Sequence, residues 1–250
     1  MQSQKISIRA IAIVLAMTIF AALPVVDAGA MQSQTSFIEF FVKVVVPVMN
    51  QLQKLSELFS EGGGAQRVGI SAGHGGNTGA SVVVNGTRIY EDGKNLAIAR
   101  AVNKEFSDRG YNTLMNRNDN SRCDKDTKLA LYGAYRPTML LEFHYNIGGG
   151  KAEGLEVWYK DGCANGKRLA EILAARLSAS AGLRNRGAKS DKNSPGGSFY
   201  ICQSFPLAVL IECAFLDNPN DVRKLDSASA RQRFAKAALD AVEEFWVTQK

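Results

Sequence analysis

From Val68 to the C-terminus the chain alternates between two kinds of hydrophobic pattern. Short apolar runs at Val68–Ile70, Tyr111–Met115, Met139–Phe143, Gly154–Tyr159, Phe199–Cys202 and Ala208–Ile211 read as strands. Between them, apolar residues return every third or fourth position over Asn95–Asp108, Asp126–Tyr135, Gly166–Ser178 and Ala228–Val247, the period of a helix. Arg109-Gly110 ends the first of these, where glycine suits a C-terminal cap. Strands alternating with helices predict a single α/β domain whose mixed, mainly parallel twisted sheet is flanked by helices. In such sheets, binding and catalysis gather at the carboxyl ends of the strands.

The first 65 residues carry a different pattern. Lys5 and Arg9 precede an uncharged run of 17 residues, Ala10–Val26, which Asp27-Ala28-Gly29-Ala30 closes. Basic, apolar and then small residues is the order of a secretory signal peptide cut after Ala30. The run is just short of the ~20 residues of a comfortable transmembrane helix, so a signal anchor competes with a cleaved leader. Phe37–Phe59 then repeats apolar residues near helical spacing, broken by Glu39, Lys43, Lys54 and Glu57 and kinked at Pro47. It reads as an amphipathic helix resting on protein, with a tether to the membrane surface as the alternative. Gly62-Gly63-Gly64 supplies a hinge. The expected organisation is therefore 1–30 signal peptide or anchor, 31–65 amphipathic helix and linker, and 66–250 catalytic domain. Export is expected, to the periplasm or the face of the cell wall.

Composition adds little to the fold but narrows the partner. Four basic and four acidic side chains fall in residues 1–65, so the whole net charge of +6 sits on the remainder. A basic body suits an anionic partner such as nucleic acid, a membrane surface or an acidic polymer of the cell wall. No arginine stripe interleaved with aromatics points to nucleic acid, and a monomer is expected. Cys123, Cys163, Cys202 and Cys213 lack a Cys-x-x-Cys spacing, which argues against a structural zinc site, and no disulfide pairing follows from their positions.

The chemistry lies with two histidines, the chain's full complement. His74 follows Val68–Ile70 in Gly73-His74-Gly75-Gly76, and His144 follows Met139–Phe143 in Phe143-His144-Tyr145-Asn146. Two imidazoles at two strand ends look like the nitrogen half of a metal site. Carboxylates stand in comparable places: Glu91 opens a helix, and Glu212 ends the run Ala208–Ile211, where a buried charge is costly unless it is used. Two histidines, one glutamate and an open position make a catalytic zinc site, and a second glutamate beside it can carry protons. Cys213, alternating with Glu212, should face the core.

These residues, together with Asn95-Leu96, Gly154-Leu155-Glu156-Val157-Trp158-Tyr159, Arg186-Gly187 and Glu212-Cys213-Ala214-Phe215-Leu216-Asp217-Asn218, resemble in order the motifs of the zinc-dependent N-acetylmuramoyl-L-alanine amidases of bacteria and phage. The resemblance implies Zn2+ held by His74, Glu91 and His144, with Glu212 as the catalytic carboxylate. It implies a peptidoglycan substrate, cut between N-acetylmuramic acid and L-alanine. A zinc peptidase acting within the stem peptide, or a non-catalytic wall-binding domain, are the competing readings. Arg186 and Lys189 are candidates to meet stem-peptide carboxylates. The chain departs from the family where an acidic residue is replaced by Ser71, a serine by Glu142, an arginine by Lys128 and a glycine by Ala214. Glu142 shares a strand face with His144, so it either tunes that histidine or serves in a structural salt bridge. Only one helix is expected between Lys160 and Arg186, which leaves no room for an occluding helix and favours an unrestrained lytic enzyme.

Overall fold

The computed structural model describes residues 66–248. The leader, the amphipathic segment and the glycine linker fall outside these residues. Among the described residues, no helix is long and apolar enough to cross a membrane. In chain order the elements are β1 (Arg67–Ala72), β2 (Ser81–Val84), β3 (Thr87–Tyr90), α1 (Glu91–Asp108), β4 (Asn112–Met115), α2 (Lys125–Tyr135), β5 (Met139–Asn146), β6 (Leu155–Tyr159), α3 (Ala164–Ala181), β7 (Asn185–Ser190), α4 (Tyr200–Ser204), β8 (Ala208–Phe215), α5 (Pro219–Asp226) and α6 (Ala228–Val247).

Six strands form one sheet in the order β4-β1-β5-β8-β6-β7. Every pairing is parallel except that of β6 with β8, so the sheet is mixed and mainly parallel, as the alternating pattern predicts. The pair β2–β3 is a separate antiparallel hairpin that delivers the chain into α1.

Strand alternation sorts the side chains into two layers. Met139, Leu141, Phe143 and Tyr145 of β5 join Val68 and Ile70 of β1 and Val209, Ile211 and Cys213 of β8 in the main core, which also holds Val102 of α1, Leu173 of α3 and Phe234 and Phe245 of α6. Cys213 lies there as its alternation with Glu212 requires. On the opposite face, Leu140 and Leu210 pack with Tyr132 of α2 and Ile201 and Cys202 of α4 in a smaller cluster. That second face is thinly covered, and its polar end becomes the cleft. The four cysteines are free.

One predicted strand is a helix. Phe199–Cys202 is β-prone in composition, yet Phe199 caps α4, and Ile201 and Cys202 are buried against the sheet's second face. A short apolar run is compatible with either state, and packing against Leu210 and Trp158 decides it here. The strand β7, the hairpin β2–β3 and the helix α5 are polar or mixed in sequence and lie outside the predicted pattern.

Candidate active site

The same alternation that fills the core puts a line of polar groups on the second face. Ser71 of β1 pairs in register with Glu142 of β5, and His144 pairs with Glu212 of β8. Across the antiparallel seam, Glu212 also pairs with Glu156 of β6. Three neighbouring strands thus present carboxylates and an imidazole side by side at the carboxyl end of the parallel part of the sheet.

His74 comes from the turn that leaves β1. Its backbone is left-handed, with φ of 57°, and Gly75 follows at 140°. Gly73 is needed for a different reason: a Cβ there would lie 2.4 Å from Cε1 and Nε2 of His144. Buried Arg117 holds the turn by donating to the Gly73 carbonyl at 2.9 Å and the Asp92 carbonyl at 2.8 Å. Glu91 is the first residue of α1, where the helix dipole favours negative charge. Its carboxylate accepts from the Ala80 amide at 2.6 Å, the Tyr145 amide at 3.1 Å and the Asn95 side chain at 3.1 Å, which fixes its orientation. Gly79 makes room for it, since a Cβ at 79 would meet Glu91 Oε1 at 2.5 Å.

Both histidines converge on this carboxylate. Nε2 of His74 is 3.2 Å from Glu91 Oε1, and Nδ1 of His144 is 3.3 Å from Oε2. The two rings meet edge to face with centroids 4.9 Å apart. Burial alone would raise the pKa of Glu91, but hydrogen bonds and charge from the two histidines hold it well below the usual carboxylate range. Burial would likewise lower that of His144, and its contacts with Glu142 and Glu91 outweigh this and push it up to about 10.

The donor set fits a metal ion. Ligands 2.0–2.1 Å from a tetrahedral centre lie about 3.3 Å apart, close to the two nitrogen–oxygen separations here. All three side chains offer a ligand atom, and these atoms lie within 4.8 Å of one another. Imidazole nitrogen with a carboxylate oxygen is a set that suits zinc.

Glu212 does not touch this trio directly, yet lines the same cleft of about 710 Å³. Its Oε2 is buried without a hydrogen-bond partner. Burial, opposed by the charge of His144 and reinforced by Glu91, Glu156 and Glu142, pushes its pKa up to about 8. An unpartnered carboxylate with a high proton affinity, facing a cleft, is suited to accepting and returning a proton.

Glu142 forms the salt bridge of one sequence reading and also lies beside His144. It is 1% exposed and forms an ion pair with Lys128, which is 3% exposed. It accepts from the Ser71 hydroxyl at 3.0 Å, and its Oε2 lies 3.7 Å from Nε2 of His144. Three of the four family departures (Ser71, Lys128 and Glu142) therefore form one connected group.

Arg186 and Lys189 both engage Glu156, at 2.6 and 2.5 Å, and are stacked over Phe215 and Trp158. Glu156 also accepts from Asn146 at 3.1 Å, so it is a buried anchor beside Glu212. Its anchoring role went unread in the sequence because it reveals itself only through the β6–β8 register. Asp92 was missed for a similar reason: it ties the His74 loop to α1 by accepting from the amides of Asn77 at 2.6 Å and Thr78 at 3.3 Å.

Comparison with known proteins places the chain in a family. The N-acetylmuramoyl-L-alanine amidase profile matches residues 68–244. YqiI of Bacillus subtilis is 28% identical over 180 residues, covering 71% of this chain and 83% of that protein. The N-acetylmuramoyl-L-alanine amidase LytC of the same organism is 27% identical over 181 residues, covering 71% of this chain but only 35% of LytC. The crystal structure of an N-acetylmuramoyl-L-alanine amidase from Clostridium difficile 630 superposes with a TM-score of 0.66 at 24% identity, covering 74% of this chain and 99% of that one, and shows the same fold. The chain belongs to the N-acetylmuramoyl-L-alanine amidase family and is a peptidoglycan hydrolase of that specificity, acting on the cell wall.

Proposed function

We propose that His74, Glu91 and His144 hold a catalytic Zn2+ and that Glu212 is the proton-transferring carboxylate of the amide hydrolysis. The observation that supports this most strongly is the convergence of both histidines on one preorganised carboxylate, with an unpartnered glutamate in register beside them. When bound, the metal supplies Lewis acidity to the amide carbonyl and to water. The remaining work belongs to the chain. Glu91, locked by three donors, keeps the ligand geometry fixed before substrate arrives. Glu212 takes a proton from the attacking water and returns it to the alanine nitrogen, without which an amine is a poor leaving group. The apolar walls of Phe199 and Ile201 limit the water around the reacting carbonyl.

The basic, apolar and small residues in order over residues 1–30 support export to the wall, as a cleaved leader or as an anchor. The segment between β6 and β7 holds α3 and no further helix, which supports a cleft free of occlusion.

Mass spectrometry of digested sacculi tests the reaction. N-acetylmuramic acid ends free of peptide are expected, and cleavage between two amino acids of the stem would replace the amidase with a peptidase. A chelator should abolish the activity and added zinc restore it. Activity that survives exhaustive chelation refutes the metal assignment. N-terminal sequencing of exported protein separates the two delivery routes: Met31 first means a cleaved leader, and Met1 retained means an anchor.

A further inference from the structure

The geometry points to Glu142 as a positioning residue that holds the ring orientation of His144 from its Nε2 side, with Ser71 and Lys128 holding the carboxylate in place. This rests on the proposal above that His144 is a metal ligand.

The argument starts from the two faces of one imidazole. Nδ1 of His144 looks toward Glu91 Oε2 at 3.3 Å, on the side where the ligand atoms converge. Nε2 looks the other way, toward Glu142 Oε2 at 3.7 Å. A neutral imidazole has one N–H and one lone pair, so one nitrogen can hold a metal while the other donates. With Nδ1 committed to the metal, the remaining proton would lie on Nε2, facing a carboxylate that, ionised beside Lys128, can only accept. The contact is an ion pair at 3.7 Å rather than a hydrogen bond.

The carboxylate is itself locked. Its other oxygen, Oε1, takes the Ser71 hydroxyl at 3.0 Å and the Lys128 ammonium. Ser71 stands opposite Glu142 in the β1–β5 register, so the contact is set by the sheet. With Glu142 at 1% and Lys128 at 3% exposure, neither side chain is free to turn toward solvent. A buried ion pair is costly to assemble and adds little net stability compared with an apolar pair of the same size. Its placement against a candidate ligand's second nitrogen gives it a use. Gly73 packs against the same ring, so the imidazole is held by glycine on one face and by carboxylates at both nitrogens. Removing such an outer partner of a metal-bound histidine typically costs 10–100-fold in metal affinity or activity.

Two measurements on the full chain, with Zn2+ as the probe, test this. With only two histidines in the chain, long-range 15N–1H correlations of the zinc-loaded wild type resolve each ring. His144 is expected to carry its proton on Nε2. A proton on Nδ1, with Nε2 bare, overturns the inference. The second uses the paired variant Glu142→Gln/Lys128→Met, which removes both charges and so leaves no lone buried ammonium. With folding confirmed by circular dichroism, its zinc Kd by chelator competition should rise about 10–100-fold, and hydrolysis at saturating zinc should slow. A merely structural pair would leave zinc affinity unchanged, and that result overturns the inference. His144→Ala, measured alongside, separates the two levels. If it too leaves zinc affinity intact, the ligand assignment itself is wrong. If it abolishes tight binding while the paired variant does not, only the role of Glu142 falls. Should the paired variant not fold, Ser71→Ala, which loosens the same carboxylate without removing a charge, takes its place in the zinc competition with the same two outcomes.

Discussion

Gly73→Ala isolates the steric condition on which the site depends. Gly73 lies at the exit of β1 with its φ outside the left-handed region, so alanine suits the backbone. The methyl group is what does not fit. It would sit 2.4 Å from Cε1 and Nε2 of His144 and 2.7 Å from Nδ1. Non-bonded carbon atoms settle about 3.5–4.0 Å apart, so ring and turn must separate by more than about 1 Å. The ring cannot swing freely, because Glu91 and Glu142 flank its two nitrogens. A displacement of about 1 Å in a catalytic group costs roughly 100-fold in rate. Overpacking costs about 1–3 kcal/mol, and each kcal/mol lowers Tm by roughly 2–4 °C in a domain of this size. The expected outcome is a folded protein, modestly less stable, with kcat/KM at least ~100-fold down in a dye-release assay on labelled peptidoglycan and with weakened zinc binding. Wild-type kcat/KM together with wild-type zinc affinity would refute the claim that Gly73 makes the space for His144.

Glu212→Gln should retain zinc by elemental analysis yet lose about 10²–10⁴ in kcat, the usual share of general acid–base catalysis; full activity removes Glu212 from the mechanism. Zinc affinity should rise with pH. The proton on metal-free His144 is held up to about 10, and a metal must expel it, so competition by protons is strongest in acid. Below that value affinity gains about tenfold per pH unit from this group, and a pH-independent Kd by chelator competition contradicts it. Gly133→Ala serves as the opposite control to Gly73→Ala: Gly133 is exposed in α2, and a Cβ there meets nothing within 4 Å. It should stabilise the protein by ~0.5–1 kcal/mol in thermal unfolding with activity unchanged, and destabilisation would show that α2 tolerates less than its exposure implies.

The Lys128–Glu142–Ser71 group illustrates how departures from a pattern can be linked. Each looks like an isolated substitution along the chain, at positions 71, 128 and 142. The β1–β5 register and the packing of α2 on the second face bring Ser71 and Lys128 onto Glu142, and Glu142 beside His144. Substituting one of the three therefore changes the environment of the other two.

Local pattern determined the α/β class, the mainly parallel sheet and four long helices, because apolar period follows directly from which side chains must reach a core. It also singled out His74, His144 and Glu212, since a charge or imidazole at the end of a buried strand is costly unless it has a task, whereas Glu91, a carboxylate that a helix start favours in any case, stood out through the family resemblance. Tertiary structure alone decided the rest. Phe199–Cys202 is helical because its apolar side chains pack on Leu210 and Trp158, and no local period distinguishes that from a strand. Gly73 and Gly79 matter through what a Cβ would strike across the fold. Arg186 and Lys189 are held on Glu156, which only the β6–β8 pairing places beside Glu212. Period along a chain reports burial; register between strands, set by long-range packing, determines which polar groups meet.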